Sequence, residues 1–356
     1  SSAASTQILG EEPEVECEKA VSAASEALTA LYQQILADLD EDGGGIGWWS
    51  PQIGWKRSAL LGEYLLSSCT GVIQALTEAS LAIEMSAEQE FADNHWIQAR
   101  WAEVDKARGS GDDFTAAISR GAYERRRARF IEMSRNGALL LLATALDRLA
   151  AVTAIVAGVK VRILRFDWNE LEVLAATAAR NLSQNNLKGR FEDPGTPGRE
   201  RQNQLLGLAL QWPNHGPADW LPWLLKPRNT TTHRASRMGW QVMLGSASRR
   251  KGLTELFWCQ PEWSDTEAML RAESGEGFRK LLLPQRPYDV LSGLRESTVN
   301  LVTLLTVEAT SLWGDRRADP ALIVQNGGIW PDLDIAAPLD FEGYGSPVKV
   351  TATEVR

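Results

Sequence analysis

The sequence predicts an all-α protein, a helical bundle with an irregular C-terminal tail. Three observations carry that expectation. Apolar residues recur at three- and four-residue steps along most of the chain. Clusters of Gly and Pro separate these runs, and little in the sequence reads as a central sheet. With 44% hydrophobic and 23% charged residues over 356 positions, the composition is that of an ordinary globular protein with room for about two domains.

Residues 1–14 are small, polar and acidic and read as a flexible tail. Val21, Ala24, Leu28, Leu31, Ile35 and Leu39 mark an amphipathic helix that Asp42-Gly43-Gly44-Gly45 should stop. No Gly-Lys-Ser/Thr follows that glycine run, so it is not a phosphate loop. After Pro51, the spacing of Leu61, Leu65, Ser68, Val72, Leu76, Ala79 and Ile83 predicts a second helix, and a weaker third covers 87–108. Gly109-Ser110-Gly111 reads as a domain boundary, closing an N-terminal helical region at 15–110.

The second domain is expected over 111–313. Five arginines between Arg120 and Arg129 form a candidate basic patch. Leu139, Leu142, Leu146, Leu149, Thr153 and Val156, with further leucines between them, predict a helix at the centre of a core. Asp167-Trp168-Asn169-Glu170 resembles a capping box ahead of Leu171, Leu174, Ala178 and Leu182, with Gly189 closing that helix. Residues 190–199 read as an exposed loop. Two short apolar pieces, 205–210 and 220–225, precede a helix expected over about 228–246 with Ala235, Met238, Gly239, Val242 and Met243 as its stripe. A long connection over 247–287 then leads to a helix carrying Leu291, Leu294, Thr298, Leu301, Leu305, Ala309 and Leu312, expected to stop at Gly314. Residues 314–356 form the irregular extension, with brief β-like runs at 322–324 and 348–350.

The 14 tryptophans follow no fixed period and point to packing rather than a base-stacking platform. Cys17, Cys69 and Cys259 are widely spaced and include no CxxC, which argues against a disulfide framework or a cysteine–histidine zinc site and fits a reducing cytoplasm. No metal or cofactor is expected. Residues 1–10 lack a basic region followed by an apolar stretch, so no signal peptide is expected. The most apolar stretch, 138–159, is interrupted by Asp147-Arg148 and reads as a buried helix rather than a membrane span.

Chemistry concentrates at Arg228-Asn229-Thr230-Thr231-Thr232-His233, which holds one of the chain's 3 histidines. A guanidinium grips phosphate through paired hydrogen bonds, and an imidazole exchanges protons near neutrality. From Lys226 to Lys251 there are seven basic residues (Lys226, Arg228, Arg234, Arg237, Arg249, Arg250 and Lys251) and no acidic one, in a protein whose net charge is −9. Such a local reversal suits a polyanion, and Lys226, Arg234, Arg237, Arg249, Arg250 and Lys251 are candidate RNA contacts. The same residues also have a structural use. Arg228 could lie on a solvated surface, Asn229 could cap a helix that Pro227 starts, and the basic residues could form one hydrated face.

The pattern of Arg228, a polar residue, three more and His233, carried by a bundle of four or five helices, resembles the HEPN superfamily, whose active members are helical ribonucleases. The resemblance covers roughly 112–313. It implies a twofold homodimer with a composite site and attack of a ribose 2′-OH on the adjacent phosphorus, leaving a 2′,3′-cyclic phosphate. By that resemblance His233 moves the proton, Arg228 neutralises the transition state and Asn229 orients one of them. The family's usual roles imply a toxin or an anti-phage defence effector with an antitoxin or sensor partner. Some family toxins carry a Tyr two residues after the His; Ala235 stands there, so control by modification of that Tyr is not expected. A second class of function stays open, a non-catalytic helical scaffold or a nucleotide- or protein-binding module, which the overall negative charge favours. His95 and His215 are alternative catalytic histidines without a matching Cys, Ser or carboxylate pattern.

Overall fold

The computed structural model describes residues 13–40, 42, 45–110, 119–180, 189–233, 240–244, 253–258, 283 and 285–324. For 13–16, 101–110, 227–233, 240–244 and 253–257 it describes the backbone alone. Eight α-helices account for most of these residues: α1 (Pro13–Ala37), α2 (Ser50–Ile53), α3 (Trp55–Ser110), α4 (Ala122–Val156), α5 (Trp168–Arg180), α6 (Pro197–Ala209), α7 (Trp220–His233) and α8 (Pro287–Ala318). Single 3₁₀ turns occupy Ile163–Arg165 and Trp212–His215. Two strands, β1 (Trp240–Leu244) and β2 (Leu253–Phe257), pair antiparallel with Trp240 opposite Phe257 and Leu244 opposite Leu253. The protein is predominantly helical, as its periodicity predicts, with this one ladder among the described residues.

The frame is built from long helices. α3 runs without a break for 56 residues, about 84 Å at 1.5 Å per residue, so the second and third helices expected from sequence are one. Its apolar stripe continues through Ile97, which is buried, and no Pro or Gly interrupts 72–108. α4 lies antiparallel to it: Arg148 Nη1 donates to the Gly71 carbonyl at one end, and Arg127 reaches Asp93 towards the other. α1 and α8 both pack on α3, α8 through Arg295 on Ser80 and Glu84. A single hydrophobic core draws on α1 and α3 before residue 111 and on α4 to α8 after it, so the Gly-Ser-Gly punctuation separates two helices of one core. Leu142, Leu146, Leu149, Val152 and Ile155 are fully buried there, each contributing about 1.5–3 kcal/mol by its removal from water.

Two helices, Trp55–Arg100 and Ala122–Val156, are long and apolar enough to cross a membrane by length and composition, and 72% of the apolar window of the second is buried inside the fold. That burial is what the reading of 138–159 as a core helix requires.

Several boundaries differ from the expectation. α6 begins at Pro197, inside the segment read as an exposed loop, because Thr196 caps it by accepting from the Arg199 amide at 3.2 Å, and Gly198 and Arg199 are buried. A Cβ at Gly198 would collide with the Leu322 carbonyl, so this glycine admits the chain that leaves α8. α8 itself passes Gly314 and ends at Ala318. Arg316 is fully buried and donates to the Ile155 and Val156 carbonyls at 3.1 and 2.7 Å, closing the C-terminal end of α4. Burial pushes the Arg316 guanidinium down to about 9, which leaves it charged at neutral pH. It stands 4.6 Å from the Trp49 ring and 5.5 Å from that of Trp48, and Trp313 meets both indoles edge-on. Asp38 binds the Trp48 and Trp313 indole N–H groups at 3.1 and 2.8 Å and Arg317 at 2.9 Å. These contacts outweigh one helical glycine, whose cost relative to Ala is about 1 kcal/mol. Residues 322–324 join no ladder; Ile323 is buried and the Val324 amide donates to Glu192. The tail expected over 325–356 lies outside the described residues.

Candidate functional site

α7 carries the Arg-Asn-x-x-x-His sequence, at its end rather than its start. Asp219, the residue before the helix, adopts φ 63°, a left-handed turn that aspartate tolerates better than most residues. Trp220, Leu221, Leu224 and Leu225 then bury the first turns, and the Trp220 indole donates to the Trp212 carbonyl at 2.8 Å. Trp223 stacks on Trp258 with centroids 6.1 Å apart, joining α7 to the residue that follows β2. Helix therefore extends from Trp220 to His233 and includes Pro227 as an interior residue. Pro227 is not a helix start and Asn229 is not an N-cap. With no N–H, Pro227 gives nothing to the carbonyl of Trp223, and the buried face ahead of it offsets that loss.

On this helix Asn229 and His233 stand four residues apart and share a face. Arg228 precedes His233 by five residues, which places the two about 140° apart around the axis at 3.6 residues per turn. The side chains of Arg228, Asn229 and His233 lie outside what the structure describes. The helix expected to continue to 246 ends at His233, and Trp240–Leu244 is strand. Its residues Trp240, Val242, Met243 and Leu244 are apolar and only Gln241 is polar, a short apolar run that fits either period and that pairing with β2 resolves. β2 lies within the segment expected to be an irregular connection.

Of the candidate RNA contacts, Lys226 is exposed on α7. Arg234, Arg237, Arg249, Arg250 and Lys251 lie outside the described residues. His95 is exposed on α3, and His215 sits in the 3₁₀ turn before α7 with Nε2 buried and unbonded. Burial lowers the His215 pKa. The arginine cluster at 120–129 is partly engaged within the fold. Asp93 accepts from Arg120 at 2.9 Å and from Arg127 at 3.2 Å, while Arg125 donates to the Arg120 carbonyl. Arg120 also covers the Trp96 ring, with 5.6 Å between guanidinium carbon and centroid. Among the described residues no group of three or more His, Cys, Asp or Glu side chains is arranged to hold a metal ion.

One feature escaped the sequence reading. A groove of about 790 Å³ lies between the outer face of α5 and the backbone segments at 160–166 and 189–190. Lys160, Arg162 and Arg190 line it together with Phe166, Val173 and Leu174. The Lys160 amide donates to the Arg190 carbonyl at 3.0 Å, which holds the two segments side by side. Capping of α5 by Asp167, which accepts from the Glu170 amide at 2.9 Å, sets the other wall. Lys160 and Arg190 are thirty positions apart, so no motif could have joined them.

Among family models, curated proteins and solved structures, none matches this chain.

Proposed function

We propose that the chain is a metal-independent endoribonuclease of HEPN type, acting in the cytoplasm as a twofold homodimer. The observation that carries this reading is the Arg228-Asn229…His233 sequence on the last turns of a helix anchored to a helical bundle, inside a segment with seven basic and no acidic residues. In this scheme His233 accepts the proton of a ribose 2′-OH as that oxygen attacks the adjacent phosphorus. The P–O2′ bond forms, the P–O5′ bond breaks, and the departing 5′ oxygen takes up a proton. Arg228 neutralises the charge that gathers on the phosphoryl oxygens, and Asn229 orients one of the two. Lys226, Arg234, Arg237, Arg249, Arg250 and Lys251 hold the RNA backbone. A toxin or anti-phage effector with an antitoxin or sensor partner is the biological setting that goes with this chemistry.

The test is cleavage of single-stranded or loop RNA in excess EDTA. Products should end in cyclic phosphate, and a 2′-deoxy residue at the scissile position should block cutting. His233→Ala should lower the rate by about 10²–10⁴-fold. Arg228→Lys should also fail, because an ammonium does not reproduce a two-pronged phosphate contact. The net charge of −9 favours a second reading, a non-catalytic scaffold or binding module. RNA cleavage that survives both substitutions would move the chemistry to other residues, whereas no cleavage by the parent protein, or substitutions that unfold it, would make Arg228 and His233 structural and leave the scaffold standing.

A further inference from the structure

The groove beside α5 has a lining that specifies a ligand. Lys160, Arg162 and Arg190 carry three positive charges on one wall, and all three are exposed. Among the described residues none of the three has a carboxylate partner or a side-chain hydrogen bond. Four other arginines are held by carboxylates within the fold, Arg127 by Asp93, Arg135 by Glu90, Arg201 by Glu308 and Arg295 by Glu84; what sets Lys160, Arg162 and Arg190 apart is that they share one groove. Cations left unpaired around one concavity call for an anion from outside, and two guanidiniums among them suit phosphate oxygens.

The other wall excludes a bare polyanion. Glu170 faces into the groove from α5 and would repel one, whereas it accepts from a hydroxyl or an amino group. Val173, about two-thirds exposed, and Leu174 follow it along the same helix and leave an apolar strip suited to a flat ring. The volume, about 790 Å³, lies in the usual range for small-molecule sites, about 300–1,000 Å³. We infer that this groove binds a nucleoside di- or triphosphate, its phosphates on Lys160, Arg162 and Arg190 and its nucleoside against Val173, Leu174 and Glu170. The site is separate from the motif on α7 and does not depend on the ribonuclease reading.

The experiment is equilibrium binding of ATP, GTP and UTP to the full chain by isothermal titration calorimetry, with adenosine and tripolyphosphate as controls. At least one nucleotide should bind more tightly than either control. Arg162→Glu with Arg190→Glu should weaken it about tenfold for each guanidinium removed, with an unchanged melting temperature. Val173→Asn, a neutral polar change on the opposite wall, should weaken nucleotide but not tripolyphosphate. The inference is overturned if no nucleotide binds more tightly than about 1 mM, or if the double variant binds as well as the parent. It is equally overturned if single-stranded RNA displaces the nucleotide at concentrations below those at which the nucleotide itself binds, which would make the groove a binding surface for RNA. None of these outcomes alters the His233→Ala result, so the two readings fail independently.

Discussion

Asp93→Asn is expected to destabilise the protein by about 2–4 kcal/mol. The Asp93 carboxylate is 7% exposed and accepts from two arginines, Arg120 at 2.9 and 3.3 Å and Arg127 twice at 3.2 Å. An amide of the same shape keeps one acceptor oxygen and presents N–H groups to guanidiniums that have nothing to accept with. Breaking a buried pair from one side costs about 3–5 kcal/mol, because the remaining charge stays desolvated. Two features reduce that figure. The Arg120 side chain is 26% exposed, so its share is that of a surface pair, about 0–1 kcal/mol. Arg127 also keeps the Tyr123 ring, 5.6 Å from its guanidinium carbon. The loss therefore concentrates on Arg127. Replacing both partners by apolar residues, Asp93→Leu with Arg127→Met, removes the orphaned charge and should recover stability to within about 1 kcal/mol of the parent. Urea unfolding followed by circular dichroism measures all three proteins at constant m-value. An Asp93→Asn cost under about 0.5 kcal/mol, or a double variant no more stable than the single, would refute the assignment of Asp93 as the counter-charge that closes α3 on α4.

Trp313→Phe removes the indole N–H that Asp38 accepts at 2.8 Å and should cost about 1.5–3 kcal/mol in the same assay; a change within about 0.5 kcal/mol would mean that Asp38 is satisfied without it. Burial pushes the Cys69 thiol up to about 12, so at pH 8 iodoacetamide should leave it unmodified in the native protein and alkylate it in urea, as mapped by peptide mass spectrometry. Rapid alkylation of Cys69 in the native protein would contradict its packing between α3 and its neighbours. Burial holds the His215 imidazole below its ordinary value of 6.5, so the unfolded chain binds more protons between the two values and stability rises with pH through that window. Stability should accordingly fall on acidification below 6.5, with a shallower fall for His215→Asn in urea titrations at stepped pH; identical slopes would show that His215 does not contribute.

Helical class and helix faces follow from local pattern alone. Val21 to Ile35, Leu61 to Ile83, Leu139 to Val156 and Leu291 to Leu312 are buried as their spacing requires, because an apolar stripe at 3.6-residue period has one way to leave water. The Asp167 cap was legible for the same local reason, since donor and acceptor lie within three residues. Where helices end was not local. Ile97 carried α3 onward as one helix, Arg316 drew α8 past Gly314, and the buried face of Trp220 to Leu225 carried α7 through Pro227. For α8 and α7 contacts with distant elements outweighed an end signal worth roughly one to three kcal/mol, the order-of-magnitude costs of Gly and Pro inside a helix, whereas α3 met no Gly or Pro between 72 and 108 to stop it. The six-residue motif could be read at once, yet its place at the end of α7, ahead of a strand at Trp240, required the ladder with Leu253–Phe257. Charge followed the same division. Sequence counts arginines, but only through-space pairing decides which are engaged, so Arg120 and Arg127 of the cluster at 120–129 are held by Asp93. Lys160, Arg162 and Arg190, unremarkable along the chain, were gathered around one groove by backbone pairing between segments thirty residues apart, the Lys160 amide donating to the Arg190 carbonyl.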